Sequence, residues 1–236
     1  GILERAQSWS ADAVLITGNL LNGETVERDT IAFLRRIFES LSPIPILISP
    51  GRHDPYTPTS PYATELWPEN VHFFTGPEWQ RVAIGSVSVY GFGHADRSLS
   101  KNPFEALHIP EGETTCIYMG PALAASLVKG EYTTGAVVDP AVLDDPRVAY
   151  VALGHLARAT AIDTGSGPVT WYAGSPEGAR FGDTGPHHYL EITIADNFPE
   201  VGSQAVEVSP IVTSAGRFFE VTLDCTDLDS GQALLD

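Results

Sequence analysis

Cations are scarce in this chain: 13 Lys and Arg stand against 30 Asp and Glu, a formal net charge of −17 over 236 residues. That balance repels phosphate backbones over most of a surface, so non-specific nucleic-acid binding is disfavoured and any such contact must be local. The acidity reads as solubility rather than as an acidic docking face. Cysteine is nearly absent too. Cys116 and Cys225 lie far apart in strand-like runs, which fits buried thiols in a reducing cytoplasm better than a disulfide or metal framework. No apolar run approaches the roughly 18 residues that cross a bilayer, and no charged-then-apolar leader follows Gly1. A cytoplasmic protein with no membrane partner is expected. Internal repeats, heptads and low-complexity tracts are also missing.

What is present, 43% hydrophobic residues, can fill one sizeable core, and a single domain spanning 1–236 is expected. Residues 13–17 form an unbroken apolar run ending at Gly18, the pattern of a strand buried on both faces. Residues 25–41 carry Ile31, Leu34, Phe38 and Leu41 at helical spacing, and 44–48 form the next strand. Strand, helix, strand with short connections predicts a parallel crossover unit in a layered α/β fold. Pro55, Pro58 and Pro61 then exclude regular structure and stiffen the following loop.

Short runs punctuated by Gly at 71–74, 82–84, 87–92 and 115–119 predict consecutive strands. Residues 139–143 have a helix start signal, and 148–153 form another buried strand, ending at Gly154. The runs 169–172, 189–194, 205–212 and 218–223 look like strands of a second sheet, and 224–236 like a solvated acidic end.

Three strand ends present polar groups: Asn19 and Asn22 after Gly18, Arg52 to Asp54 after Gly51, and His155 after Gly154. Layered α/β enzymes place reactive groups outside the carboxyl ends of their strands, so these groups are expected to converge. His53 beside Asp54 has the make-up of a proton donor oriented by a carboxylate. The same pair also suits a fold-holding hydrogen bond in a tight turn. One imidazole does not make a metal site, so His155 alone is no ligand set. His72, His108, His187 and His188 have no metal-ligand spacing. Ser175, Glu177 and Arg180 around Gly174 and Gly178 resemble a weak anion-binding turn and are candidate cleft residues.

Five segments taken in order carry a family resemblance: 15–21 (LITGNLL), 49–56 (SPGRHDPY), 90–94 (YGFGH), 150–155 (YVALGH) and 172–178 (YAGSPEG). The series resembles the calcineurin-like metallophosphoesterases, specifically the bacterial SbcD-type DNA-repair exonucleases, over most of the chain. The resemblance implies a four-layer α/β/β/α sandwich of two mixed β-sheets flanked by helices. It also implies that the fold's first, Asp-x-His strand is missing ahead of Gly1, where the chain opens with what looks like the tail of the next helix.

Members of that family hold two metal ions, usually manganese, on ligands that can be compared position by position. The Gly-Asp motif reads Gly18, Asn19 here; the Gly-Asn-His-Asp motif reads Gly51, Arg52, His53, Asp54; the His-Gly strand end reads Met119, Gly120; and the Gly-His-x-His motif reads Gly154, His155, Leu156, Ala157. Of the ligand positions only His155 is unchanged, whereas the non-ligand His53 and Asp54 remain. His94, after Gly93, matches a position of structural character. Two dications 3.5–4 Å apart repel by roughly 17 kcal/mol at an effective dielectric near 20, so anionic ligands are essential. An Asn amide lacks that charge, a Met thioether suits copper(I), Ala157 has no donor, and Arg52 adds a fixed positive charge.

The expectation is therefore a degenerate, non-catalytic member with no metal at Asn19, Arg52, Met119, His155 and Ala157. His53 and Asp54 would remain as a vestigial acid pair. Arg52 and His53 would form an anion pocket for a phosphate-containing ligand, or Arg52 would pair with a carboxylate and plug the old site. Action through a protein partner or homo-oligomer follows from the same reading. The alternative is an active manganese-dependent phosphodiesterase or exonuclease, with ligands supplied by missing residues or a partner. In that case Asn19 and His155 bind metal and His53 is the acid. A third possibility is a purely structural domain.

Overall fold

The computed structural model describes residues 1–21, 26–128, 135–178, 181–213 and 215–222. Helix α1 (Ile2–Trp9), strand β1 (Val14–Thr17), helix α2 (Arg28–Ser40) and strand β2 (Ile46–Ser49) come first. The predicted stripe on α2 holds: Ile31, Phe38 and Leu41 are buried, and Phe38 and Leu41 pack with Ala6, Ile46 and Ile48. Burying that stripe, rather than intrinsic propensity, is what holds a helix of this length in place. Its expected start at Thr25 lies outside the described residues; the described helix begins at Arg28, after an extended Glu27. Pro61 does not extend the loop as expected but opens the one-turn helix α3 (Pro61–Thr64), where a missing N–H costs nothing.

Strand β3 (Val71–Phe73) completes a parallel three-stranded sheet in the order β1-β2-β3. The run at 71–74, expected as a strand, is β3 of this sheet. One expectation is corrected here. All four β1 residues are half-buried rather than buried on both faces, because β1 is an edge strand, whereas central β2 is buried throughout.

The second sheet has seven strands: β4 (Gln80–Ile84), β5 (Val87–Gly91), β6 (Cys116–Ala124), β7 (Ala136–Val138), β8 (Val148–Gly154), β9 (Thr160–Ile162) and β10 (Val169–Tyr172). Their order is β4-β5-β6-β8-β10-β9, with β7 paired to the far half of β6. Strands β5, β6, β8 and β10 are parallel, and β4 and β9 run antiparallel at the edges. The run at 169–172 was expected with the later strands but pairs with β8 in this sheet. Only β11 (His188–Ile194) and β12 (Val206–Val212) stand apart, as an antiparallel pair preceded, for β12, by the one-turn helix α4 (Phe198–Val201). Of the expected strand at 218–223, Phe218 makes a single bridge to Thr184, and Leu223 lies outside the described residues.

Strand parity shows how the layers meet. Leu47 and Phe74 from the first sheet pack with Val89, Met119, Tyr150 and Ala152 from the second, and Ile192, Ile194, Val206 and Val208 of the β11–β12 pair close the same core. Helices α1 and α2 cover the outer face of the first sheet. The other face of the seven-stranded sheet, with Phe92, Tyr118, Val151, Leu153 and Tyr172, is covered by Phe104 and Leu143 from 3-10 turns and by Trp79 from a loop. Hence the helix expected at 139–143 is one 3-10 turn (Pro140–Leu143). The fold is mixed α/β with several sheets. Among the described residues no helix is long and apolar enough to cross a membrane.

Candidate functional site

Parallel strands send all their carboxyl ends to one edge of a sheet, and here the edges of both sheets coincide. A Cβ at Gly154 would lie 1.7 Å from the carbonyl oxygen of Thr17, so the end of β8 is pressed onto the end of β1. A Cβ at Gly18 would lie 3.4 Å from Gly51 Cα and 3.6 Å from Pro121 Cβ, which brings in β2 and β6. The loop after β5 is stitched on by backbone bonds: His94 N–H donates to Pro50 O at 2.8 Å, and Tyr56 N–H to His94 O at 2.7 Å. Glycines at these crossings are required by backbone-to-backbone approach, where a side chain has no room.

Asp54 is the hub of this edge. It is 6% exposed, and its two oxygens accept four bonds. Oδ1 takes the N–H groups of Asn19 at 3.0 Å and Gly51 at 2.9 Å; Oδ2 takes the Leu21 N–H at 3.2 Å and the Tyr62 hydroxyl at 2.6 Å. Positive φ at Gly18 (94°) and Asn19 (54°) turns the chain so that amides after β1 point at that carboxylate. Burial first, then the Asp54 charge, hold the Tyr62 phenol far above its ordinary value, so it stays a donor. None of these four partners is His53, which is exposed. Both Asp54 oxygens are committed to joining the β1 and β2 loops.

Around this hub lie basic side chains. His94 is 1% exposed with Nδ1 3.1 Å from the Asp96 carbonyl oxygen. Burial chiefly, and the charges of Arg52 and His155, push its imidazole towards neutrality, against the opposing pull of the Asp96 carbonyl and the Asp54 charge. The residue His155 is exposed, but partial desolvation of its ring, then the charges of Arg52 and His53, lower it as well. Arg52 thus lies within electrostatic reach of both His94 and His155.

The remaining expected site residues divide. Asn19 is exposed at the edge and Arg52 half-buried within it. Met119 is 1% exposed and belongs to the core between the sheets, not to the cleft. Ala157 contributes a carbonyl that accepts the Ser175 N–H at 3.0 Å. Ser175 is half-buried, and its carbonyl lies 3.0 Å from His187 Nδ1. Glu177 is exposed and accepts the N–H groups of Ala215 at 3.1 Å and Gly216 at 3.2 Å, so it anchors a neighbouring loop. Asn22 and Arg180 lie outside the described residues.

Sequence reasoning missed Tyr62, eight residues beyond its partner with no motif to signal it. It also missed His187, buried with Nε2 3.1 Å from the Asp183 carbonyl. Burial of a polar residue near a strand end was the one available hint.

The donors fit a two-metal centre poorly. Arg52 brings a cation, Met119 turns into the core, Ala157 has no side-chain donor, and Asp54 is engaged with four hydrogen-bond donors. Among the described residues no group of three or more His, Cys, Asp or Glu side chains is placed to hold a metal ion. In comparisons with known proteins, no family model matches the chain and no curated protein matches it.

Proposed function

We propose that this chain is a degenerate calcineurin-like metallophosphoesterase of the SbcD-type exonuclease lineage, with the four-layer α/β/β/α architecture of that family. It works without a two-metal centre, as a phosphate- or sulfate-binding domain or as an interaction subunit. Arg52 and His53 form the anion pocket. The guanidinium presents a planar fork to two oxygens of a tetrahedral anion, and the imidazole next to it adds a third donor.

One observation carries the reading. Where the family pattern calls for metal ligands stands Arg52, a cation whose charge adds to the larger effect of burial in lowering the proton affinity of both His94 and His155. A bound anion relieves that mutual repulsion, whereas a divalent cation adds to it. The motif order in the sequence supports the lineage, and facing sheets with α1 and α2 outside the first support the architecture.

Calorimetric titration with sodium sulfate tests the pocket. Wild type is expected to give saturable heat and Arg52→Ala to lose it; identical, negligible heats for the two proteins end the pocket idea. Hydrolysis of bis-p-nitrophenyl phosphate with manganese tests the chemistry. No turnover above a no-protein control is expected, and clear metal-dependent turnover would favour an active phosphodiesterase instead.

A further inference from the structure

Ala32, Arg35, Arg36 and Glu39 recur on α2 at i, i+3, i+4 and i+7, so they share one face of the helix. That face is not the buried stripe of Ile31 and Phe38. It forms one wall of an open groove of about 400 Å³, and Leu66, Trp67 and Pro68 form the other. The second wall is apolar and firmly held: Trp67 donates its indole N–H to the Pro61 carbonyl at 3.1 Å, and its ring packs 5.5 Å from that of Phe73 and 6.0 Å from that of Phe38. Leu66 beside it is 80% exposed, and Phe33, whose ring lies 5.8 Å from the Arg36 guanidinium, is 51% exposed. Scattered apolar residues at a surface need no explanation, but these two adjoin the same groove.

Charge decides what fits. Elsewhere in this acid-rich chain arginines take carboxylate partners: Arg5 with Glu191, Arg81 with Glu113 and Arg147 with Asp145. Among the described residues Arg35 and Arg36 take none. Arg35 precedes Glu39 by four positions, which is the weaker order for a helical ion pair, and the two are not joined. Glu39 on the helix wall, and the exposed Glu65 and Glu69 that flank 66–68 in the chain, are the neighbouring acids. A guanidinium offers a planar fork to a carboxylate, and two such forks stand here beside a fixed indole.

We propose that this groove is a docking surface for a short acidic segment of a partner protein. One large apolar side chain of that segment, Leu or Phe, seats against Trp67 and Leu66, and carboxylates on either side of it pair with Arg35 and Arg36. An aromatic anchor next to arginine is the combination that dominates interface energetics, and the Trp67 wall is in place before any partner arrives. A basic or neutral segment would leave both guanidiniums unpaired as the groove lost its water. The segment is short because the net charge of −17 repels further acids beyond the groove. The inference goes beyond the strand-end reading and uses none of its residues.

Fluorescence anisotropy tests it with a fluorescein-labelled peptide of about 12 residues, rich in Asp and Glu around a single Phe, and with a twin that has Lys in place of every acid. Wild type is expected to bind the acidic peptide saturably and more weakly as sodium chloride is added. The double variant Arg35→Glu with Arg36→Glu, and separately Leu66→Ser, are each expected to lose about tenfold or more in affinity. None of the three side chains is buried, so melting temperatures should stay within about 2 °C of wild type, and sulfate titration should be unchanged, which separates this surface from the Arg52 pocket. No saturable binding, or equal binding of the acidic and Lys-bearing peptides, overturns the proposal. A wild-type dimer in light scattering that Leu66→Ser converts to monomer would assign the groove to a second copy of the chain and overturn it as well.

Discussion

Removing the Asp54 carboxylate should do more damage than any other single change at the strand-end edge. Four donors converge on it, three of them backbone N–H groups from Asn19, Leu21 and Gly51 and one the Tyr62 hydroxyl. A hydrogen bond to a charged group contributes about 1.5–3 kcal/mol, and each buried donor left without an acceptor costs about 1–3 kcal/mol. These terms share one acceptor and do not add, and Asn19 lies at the surface where water replaces part of the loss. Asp54→Ala is therefore expected to lose about 4–6 kcal/mol, at the extreme of single substitutions. Asp54→Asn keeps one oxygen but turns an NH2 group towards donors, for a loss of about 2–4 kcal/mol, and Tyr62→Phe should lose about 1–2 kcal/mol. Equilibrium urea unfolding followed by tryptophan fluorescence reads the series, helped by Trp67, whose ring lies 6.4 Å from that of Tyr62. The order Ala, Asn, Phe in decreasing damage is the signature of a carboxylate hub. An Asp54→Ala midpoint equal to wild type with the same denaturant slope refutes it.

Two further outcomes are expected from the core. Gly154→Ala places a Cβ against the Thr17 carbonyl, a backbone atom that cannot rotate away, and should lose more than about 3 kcal/mol in a thermal scan; an unchanged melting temperature would contradict the close approach of β8 to β1. His72 has a buried Nε2 with no partner, its ring lies edge-on to Phe74 at 5.0 Å, and burial lowers its proton affinity. The unfolded chain, with an ordinary value near 6.5, then takes up this proton more readily than the folded one, so stability is lost as pH falls below about 6.5. His72→Phe should raise stability by about 1 kcal/mol and flatten part of the fall in melting temperature between pH 7.5 and 5.5; an equally steep fall in the variant removes His72 from the account.

The strands that build the edge were readable because a parallel strand covered on both faces is an unbroken apolar run, with Gly51 two residues past the end of β2 and Gly154 closing β8. Partners were not readable. The same apolar run at 169–172 is compatible with either sheet, and only its register against β8 decides. Asp54 illustrates the limit best: its neighbour His53 offered a local pairing, but its actual donors include two residues more than 30 positions away, aimed by the φ angles of Gly18 and Asn19. Met119 shows a second limit. As a motif position it points to the cleft, but strand parity places it with Leu47 and Tyr150 between the sheets, where burial of a thioether decides its orientation.

The contrast between the proposed Arg52 pocket and a chain of net charge −17 also separates two kinds of anion. On the proposed reading, a single phosphate or sulfate feels mainly the charges within a Debye length, about 10 Å at 0.1 M salt, where Arg52 is its partner. A single-stranded oligonucleotide extends far beyond that distance and meets the acidic remainder of the surface, so each further phosphate is repelled. Adding salt screens the long-range repulsion more than the short-range attraction. Oligonucleotide affinity should therefore rise or stay level between 50 and 200 mM sodium chloride, opposite to the fall that counterion release imposes on proteins with extended basic surfaces. Fluorescence anisotropy with a 5′-phosphorylated oligonucleotide and its unphosphorylated twin measures this directly. The phosphorylated form should bind better at every salt concentration, by the margin of one terminal group. A steep loss of affinity with salt, equal for both forms, would mean that many phosphates are neutralised at once and that the Arg52 pocket is part of a continuous nucleic-acid track.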